Sequence, residues 1–228
     1  MAQVSKSVIG RLRGSVGDLA FRQRDGKQII STRPGTINAP DDEDSVNRRL
    51  KFRFLTKFAS QVTGIDALKA AWQDNAEAGN SAFNQIISDD YDLVSVDSIT
   101  EQTRLTPLFG FSAGITSTVI SASGIQVVTQ PIGTNAGIDL NVEKNIQLAV
   151  IVCLSSPSDH SLPNYYLVPL LSAQQPLKLD TALTLNASLS NQDALVFPKY
   201  ALHKTIYALF TLNDDGNMVH YSVTFAIT

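Results

Sequence analysis

The chain has 228 residues, of which 43% are hydrophobic and 17% charged, so it can bury a sizeable core but is less charged than most soluble domains. The net charge of -3 is unevenly distributed: residues 1–60 hold 12 of the 18 Lys+Arg and 6 of the 21 Asp+Glu, a net +6, and the rest carries -9. This asymmetry is typical of a polyanion contact or of a self-complementary assembly. No apolar run approaches the roughly 20 residues of a membrane helix. The N-terminus lacks the apolar core of a secretory signal, so we expect folding in the cytoplasm.

The first predicted structure is a β-hairpin over residues 8–33. Its apolar residues recur near alternate positions and are Val16, Leu19, Phe21, Ile29 and Ile30. Asp25-Gly26 is a strong turn signal, because glycine tolerates the positive φ that tight hairpin turns need. Residues 1–40 are therefore predicted to form an N-terminal arm and its connector.

A helical segment is predicted over residues 41–104. The acidic run 41–44 suits the positively polarised start of a helix, and Asp44 or Ser45 is the expected N-cap. Residues at helical spacing predict one apolar face: Leu50, Phe54, Leu55, Phe58 and Val62. The basic residues of this helix are expected to be solvated, with a phosphate contact as the alternative: Arg48, Arg49, Lys51, Arg53 and Lys57.

Two shorter helices are predicted over 65–75 and 81–88, the second capped by Asn80 or Ser81. Trp72, the sole tryptophan, is expected to pack in the core. From about residue 105 the apolar period changes to two, which predicts strands over 108–112, 118–129, 138–142, 146–154, 165–171, 177–189, 205–212 and 218–227. The prediction is a mainly β, α+β protein whose residues 105–228 form an antiparallel immunoglobulin-like sandwich.

The sequence contains no recognisable catalytic or metal-binding motif. His160, His203 and His220 lack the paired spacing of a zinc site, and no Gly-x-Ser-x-Gly motif accompanies them. The acidic run 89–92 lacks the glycine and the later glutamate of an EF-hand loop. Cys153, the single cysteine, is expected to be a buried small hydrophobe. We therefore predict a protein that is not an enzyme and has no cofactor and no metal.

Four stretches carry a resemblance to a known family: GSVGDLAFRQRDGKQIISTRPGTINAP at 14–40, VNRRLKFRFLTKFA at 46–59, SAFNQII at 81–87, and TIYALFTLNDDGNMVHYSVTFAI at 205–227. The pattern resembles a domain-of-unknown-function family common in Bacteroidota and their phages and mobile elements. Many proteins of this kind look like phage structural genes. The resemblance transfers no functional residue, and it implies a virion location, or the host cytoplasm before assembly.

Three functions follow as expectations. The first is a bacteriophage virion protein, capsid- or tail-associated, whose arm contacts itself or other particle proteins through Arg11, Arg13, Phe21, Arg22, Arg24, Lys27 and Ile29. The second is a binding module whose sandwich takes a glycan or a surface protein. The third and weakest is nucleic-acid binding through basic residues 6–57, since the chain has a pI of about 5.5 and few aromatic residues beside its basic ones. No membrane partner is expected.

Overall fold

The computed structural model describes residues 2–4, 12–24, 26–32, 40–133 and 136–227. It contains 38% strand and 25% helix in several antiparallel sheets, which confirms a mainly β, α+β protein. The chain divides into two compact units, Met1–Asp42 and Glu43–Thr228, which we name the N-terminal sheet and the main unit.

The N-terminal sheet has four antiparallel strands where a two-stranded hairpin was predicted. The strands are β1 (Ala2–Val4), β2 (Gly14–Val16), β3 (Leu19–Arg24) and β4 (Lys27–Thr32), in the order β1-β4-β3-β2. The central pair is the predicted hairpin: Arg24 pairs with Lys27, which leaves a two-residue turn in which Gly26 has a φ of 74°. A second tight turn, with Gly17 at φ 56°, joins β2 to β3. Asp25, Arg33 and residues 8–11 of the prediction lie outside the described residues.

The main unit begins with three helices: α1 (Glu43–Thr63), α2 (Asp66–Asp74) and α3 (Ala82–Asp90), the last followed by a 3-10 turn at Tyr91–Leu93. Most of the predicted apolar face of α1 is buried, namely Phe54, Leu55, Phe58 and Val62, whereas Leu50 is exposed. The helix begins before the predicted caps, so Asp44 and Ser45 lie within its first turn. The Ser81 hydroxyl accepts a hydrogen bond from the Asn84 N–H, which confirms the predicted cap of α3. Trp72 is buried and donates its indole N–H to the Leu105 carbonyl oxygen, as expected of a core residue.

The large sheet of the main unit is built on two 13-residue strands. These are β7 (Asn145–Pro157) and β11 (Tyr200–Leu212); β8 (Tyr165–Leu171), β9 (Gln175–Pro176), β12 (Met218–Tyr221) and β13 (Phe225–Ile227) complete it. The order is β12-β11-β7-β8, with β13 also on β11 and β9 also on β7. Residues 148–155 are buried without interruption, which confirms the prediction of a central strand apolar on both faces.

A three-stranded sheet packs on one face of the large sheet. It contains β5 (Ile115–Ser121), β6 (Gly124–Thr129) and β10 (Thr184–Ser188), in the order β10-β6-β5.

The strand predicted over 118–129 is thus a hairpin, and only the end of the one predicted over 177–189 forms. The strand predicted at 138–142 is wrong, because the Asp139 side chain and carbonyl accept hydrogen bonds from the N–H groups that follow and close a turn. The strand predicted at 108–112 reduces to a single bridge between Phe111 and Ser222. A short helix, α4 (Asn191–Val196), lies between the strands predicted over 177–189 and 205–212.

Helices cover the other face of the large sheet. Alternate residues of its central strands point to the two sides: Ile151 and Phe210 belong to the apolar cluster of the helices, whereas Val150 and Leu209 belong to the cluster between the sheets. The main unit therefore has three layers: helices, large sheet and small sheet. The predicted helical segment 41–104 shares a core with residues 105–228, and the predicted boundary at residue 105 stays a prediction.

Candidate partner-binding surface

The N-terminal sheet is apolar on one face, as its register shows. Residues paired across antiparallel strands share a face. Phe21 of β3 pairs with Ile30, and Leu19 of β3 pairs with Val16. Phe21 and Leu19 are two positions apart along β3, so their side chains lie on the same side of the sheet. These four residues therefore lie on one face, where Val16 is 70% and Leu19 43% exposed. Phe21 and Ile30 are half-buried. An apolar sheet face that is this exposed is typical of a surface that a second layer of structure covers.

Part of the same face is closed by the chain itself at Gln28. Gln28 pairs with Gln23, which places it on the face of Phe21. Its side-chain amide donates to the Leu12 carbonyl oxygen at 3.1 Å, and its side-chain oxygen accepts from the Leu12 N–H at 3.4 Å. The two bonds hold the chain before β2 against this end of the sheet and leave Gln28 buried. The open part of the face is thus the end that carries Val16 and Leu19.

The opposite face of the N-terminal sheet is basic. Arg22 pairs with Ile29, and Lys27 is two positions from Ile29 along β4, so the three side chains lie on the same side of the sheet. Arg22 and Lys27 are exposed, and Ile29 is half-buried between them. The face therefore combines two exposed cationic side chains with the half-buried Ile29, an arrangement suited to an acidic partner.

The predicted contact residues do not form one surface. Arg22, Lys27 and Ile29 share the basic face, whereas Phe21 lies on the apolar face. Arg13 is exposed immediately before β2. Arg11 and the side chain of Arg24 lie outside the described residues; the Arg24 backbone pairs with Lys27.

The predicted contact residues did not include Gln28, Val16 or Leu19. The alternation of apolar residues on both sides of the turn was the signal that could have separated the two faces. No such signal predicted the hydrogen bonds of the Gln28 side-chain amide, because this group contacts backbone atoms of a residue 16 positions away.

Two basic residues of α1 have partners within the main unit. Lys51 forms an ion pair with Asp92 at 3.7 Å and lies over the Tyr91 ring, 4.8 Å from its centroid. Arg48 donates to the Ser45 hydroxyl at 2.7 Å. A phosphate contact by the basic face of the helix stays a prediction.

The three histidines have separate surroundings. His203 lies against Phe197, with ring centroids 4.0 Å apart, and His160 is exposed in a loop. His220 lies 3.1 Å from the carboxylate of Glu143, which is buried and also accepts hydrogen bonds from the Asp139 N–H and the Thr211 hydroxyl. Thr211 is itself fully buried, so this triad lacks a nucleophile that a substrate could reach.

The acidic residues at the end of α3 also do not form a ligand set. Burial raises the pKa of Asp90 to about 8, against the opposing effects of the Arg104 N–H and charge. One of its carboxyl oxygens has no hydrogen-bond partner. Burial raises the pKa of the Cys153 thiol as well, as expected for a cysteine in the core. Across the described part of the chain, no three His, Cys, Asp or Glu side chains are grouped as metal ligands.

No family model matches the chain, and no curated protein sequence matches it. Within the residues that the structure describes, no helix is both long and apolar enough to cross a membrane. The functional conclusion therefore rests on the geometry of the surfaces.

Proposed function

We propose that the protein is a non-enzymatic structural component of a bacteriophage particle, capsid- or tail-associated, and that its N-terminal sheet binds a neighbouring subunit. The observation that carries the proposal is the open apolar face of a single-layer sheet, on which Val16 is 70% exposed. A sheet that is apolar on one side is stable when a second layer covers that side. The virion location is supported by the resemblance of residues 14–40 and 46–59 to phage-associated proteins.

The partner that fits best is a second copy of the chain. Residues 1–60 carry a net +6 and the remainder -9, so the acidic remainder of one copy attracts the basic face of another copy. Complementary charge steers the encounter, and burial of the apolar side chains supplies most of the affinity. Another particle protein with an acidic surface is the alternative partner.

The test is a double variant on the apolar face, Val16→Ser with Leu19→Ser. Full burial of a Val or Leu side chain contributes about 1.5–3 kcal/mol, so we expect self-association at least about tenfold weaker than in the parent protein. Sedimentation velocity over a concentration series measures this, and circular dichroism checks that the fold is kept.

The matched control is Leu195→Ser. Leu195 is 71% exposed on α4, the same exposure as Val16, but it is outside the N-terminal sheet. We expect this control to associate like the parent. A double variant that also associates like the parent would contradict the proposed contact.

A further inference from the structure

The small sheet of the main unit has one edge that the chain leaves open. Its order is β10-β6-β5, so β5 pairs with β6 on one side only. The two-residue loop after β5 closes on the pair Ser121–Gly124, and hydrogen-bonded pairs alternate along an antiparallel ladder from there. The backbone N–H and C=O groups of Thr118 and Ile120 therefore point away from β6. Within the described residues, no hydrogen bond reaches these outward groups.

The other edge strands of the described sheets have features that discourage pairing with another chain. Proteins protect edge strands by shortness, charge, a bulge or proline. The edge strand β8 contains Pro169, which removes one N–H from its ladder. The remaining edge strands have five residues or fewer. By contrast, β5 has seven residues without proline or charge, and its irregular register ends at Ser117, so residues 117–121 form a regular edge.

The surroundings of this edge are uncharged, unlike the rest of the main unit. Residues 105–138 contain no Asp, Glu, Lys or Arg, and β10 contains none either. Residues 61–228 as a whole carry a net -9, so these parts of two copies repel each other overall. The edge of the small sheet is thus a place where two copies can approach each other without repulsion between like charges.

The sequence of the regular edge is nearly the same when read in either direction from Val119. Serines lie two positions away on both sides, at Ser117 and Ser121. The β-branched residues Thr118 and Ile120 lie next to it. When two such edges pair antiparallel about Val119, Thr118 of one copy exchanges both backbone hydrogen bonds with Ile120 of the other. The two Val119 side chains, each 56% exposed in the single chain, then lie opposite each other, with their Cα atoms about 4.5 Å apart.

We propose that β5 of one copy pairs antiparallel with β5 of a second copy about a two-fold axis at Val119, and so joins two small sheets into one continuous sheet. This contact goes beyond the one proposed for the N-terminal sheet, because it uses only the main unit. Since it joins only residues 117–121 of each copy, it is smaller than stable interfaces, which bury about 1,200–2,000 Å². It therefore forms where an assembly holds copies close together.

Disulfide trapping tests this contact in full-length chains that also carry Val16→Ser and Leu19→Ser. These two changes remove the contact proposed for the N-terminal sheet, so failure of one contact is distinguishable from failure of the other. Val119→Cys should form a disulfide with itself at least about tenfold faster than Leu195→Cys does, because pairing raises the local thiol concentration. Leu195 is 71% exposed, more than Val119, so chance collisions favour the control. Cys153 is buried in every variant and serves as a common background.

The register of the pairing gives a second comparison. In a two-fold pairing about Val119, Ser117 of one copy faces Ser121 of the other, whereas the two Ser117 residues lie more than roughly 13 Å apart. Ser117→Cys mixed with Ser121→Cys should therefore form a mixed disulfide at least about tenfold faster than Ser117→Cys forms one with itself. Equal rates for these two combinations would overturn the proposal, as would trapping of Val119→Cys at the rate of the Leu195→Cys control.

The variant Thr118→Pro separates pairing from fold. Proline removes the outward N–H of this residue but no hydrogen bond to β6, and the edge strand β8 already contains such a residue at Pro169. Circular dichroism should show that the fold is kept, and trapping through Val119→Cys should fall to the rate of the Leu195→Cys control. Unchanged trapping through Val119→Cys in a folded Thr118→Pro chain would show that the edge of β5 is not the contact.

Discussion

Asp90 is the residue at which burial and charge conflict most strongly. Burial raises its pKa to about 8; the Arg104 N–H and charge oppose this rise without cancelling it, and the Asp89 carboxylate adds to it. One carboxyl oxygen has no hydrogen-bond partner. The folded protein therefore holds a proton that the unfolded chain, with its ordinary pKa near 4, releases.

This difference predicts that stability falls as the pH rises from about 4 to about 8. In that range the folded state binds more protons than the unfolded state, so the contribution of Asp90 decreases by at most about 1.4 kcal/mol per pH unit. Asp90→Asn keeps the shape without the charge, and we expect its free energy of unfolding to lose this slope. Urea denaturation of both proteins at several pH values between 5 and 8 gives the comparison. Parallel pH profiles for the two proteins would show that Asp90 is not protonated in the folded state.

At the scale of elements, the helices are required to cover the large sheet. Ile151, Cys153, Ile206 and Phe210 point to the helical layer and are fully buried there or nearly so. Removing residues 1–104 would expose this apolar face together with the edges of the sheet. Exposed surface of this kind promotes association between chains.

We therefore expect the isolated piece 105–228 to aggregate, while 43–228 stays monodisperse. Circular dichroism and sedimentation then compare the two. A cooperative unfolding transition and a monomeric mass for 105–228 would show that the helices are dispensable and that the boundary predicted from the sequence is a folding boundary.

Elements whose residues alternate or repeat regularly were predictable from the sequence. The apolar face of α1 has a clear helical period and forms as predicted except at Leu50, and the predicted strand at 165–171 also forms. Most of the strand predicted over 177–189 does not form, because most of its alternating leucines lie in a loop that packs into the core between the sheets. On the N-terminal sheet, local sequence predicts the turn at Gly26 but not β1, which joins β4 across more than 20 residues.

At the scale of the whole molecule, the uneven charge distribution has a kinetic consequence. In the proposed contact between copies, the basic N-terminal part of one copy attracts the acidic remainder of the other, and salt screens this attraction over distances beyond roughly 10 Å. Apolar burial in the finished contact is not screened in the same way. Charge should therefore affect the rate of encounter more than the lifetime of the complex.

We expect the association rate constant to fall about tenfold or more between about 0.05 and 0.5 M salt, with a smaller change in the dissociation rate constant. Surface-immobilised protein and a concentration series of free protein give both constants. A dissociation rate that rises as steeply as the association rate falls would mean that ion pairs, not apolar burial, hold the complex.

The hydrogen bonds between residues 105–111 and 221–224 also affect when the chain can complete its folding during synthesis. The Leu105 N–H donates to the Thr224 hydroxyl, 119 positions later, and the Thr106 hydroxyl donates to the Ser222 carbonyl oxygen. At a translation rate of about 5–20 residues per second, the ribosome needs about 6 to 24 s to travel from Leu105 to Thr224. During that interval the nascent chain carries its helices and the first long strand of the large sheet without the partners that close the core. Chaperones that shield apolar nascent segments have their longest opportunity to act on this protein before Thr224 is added.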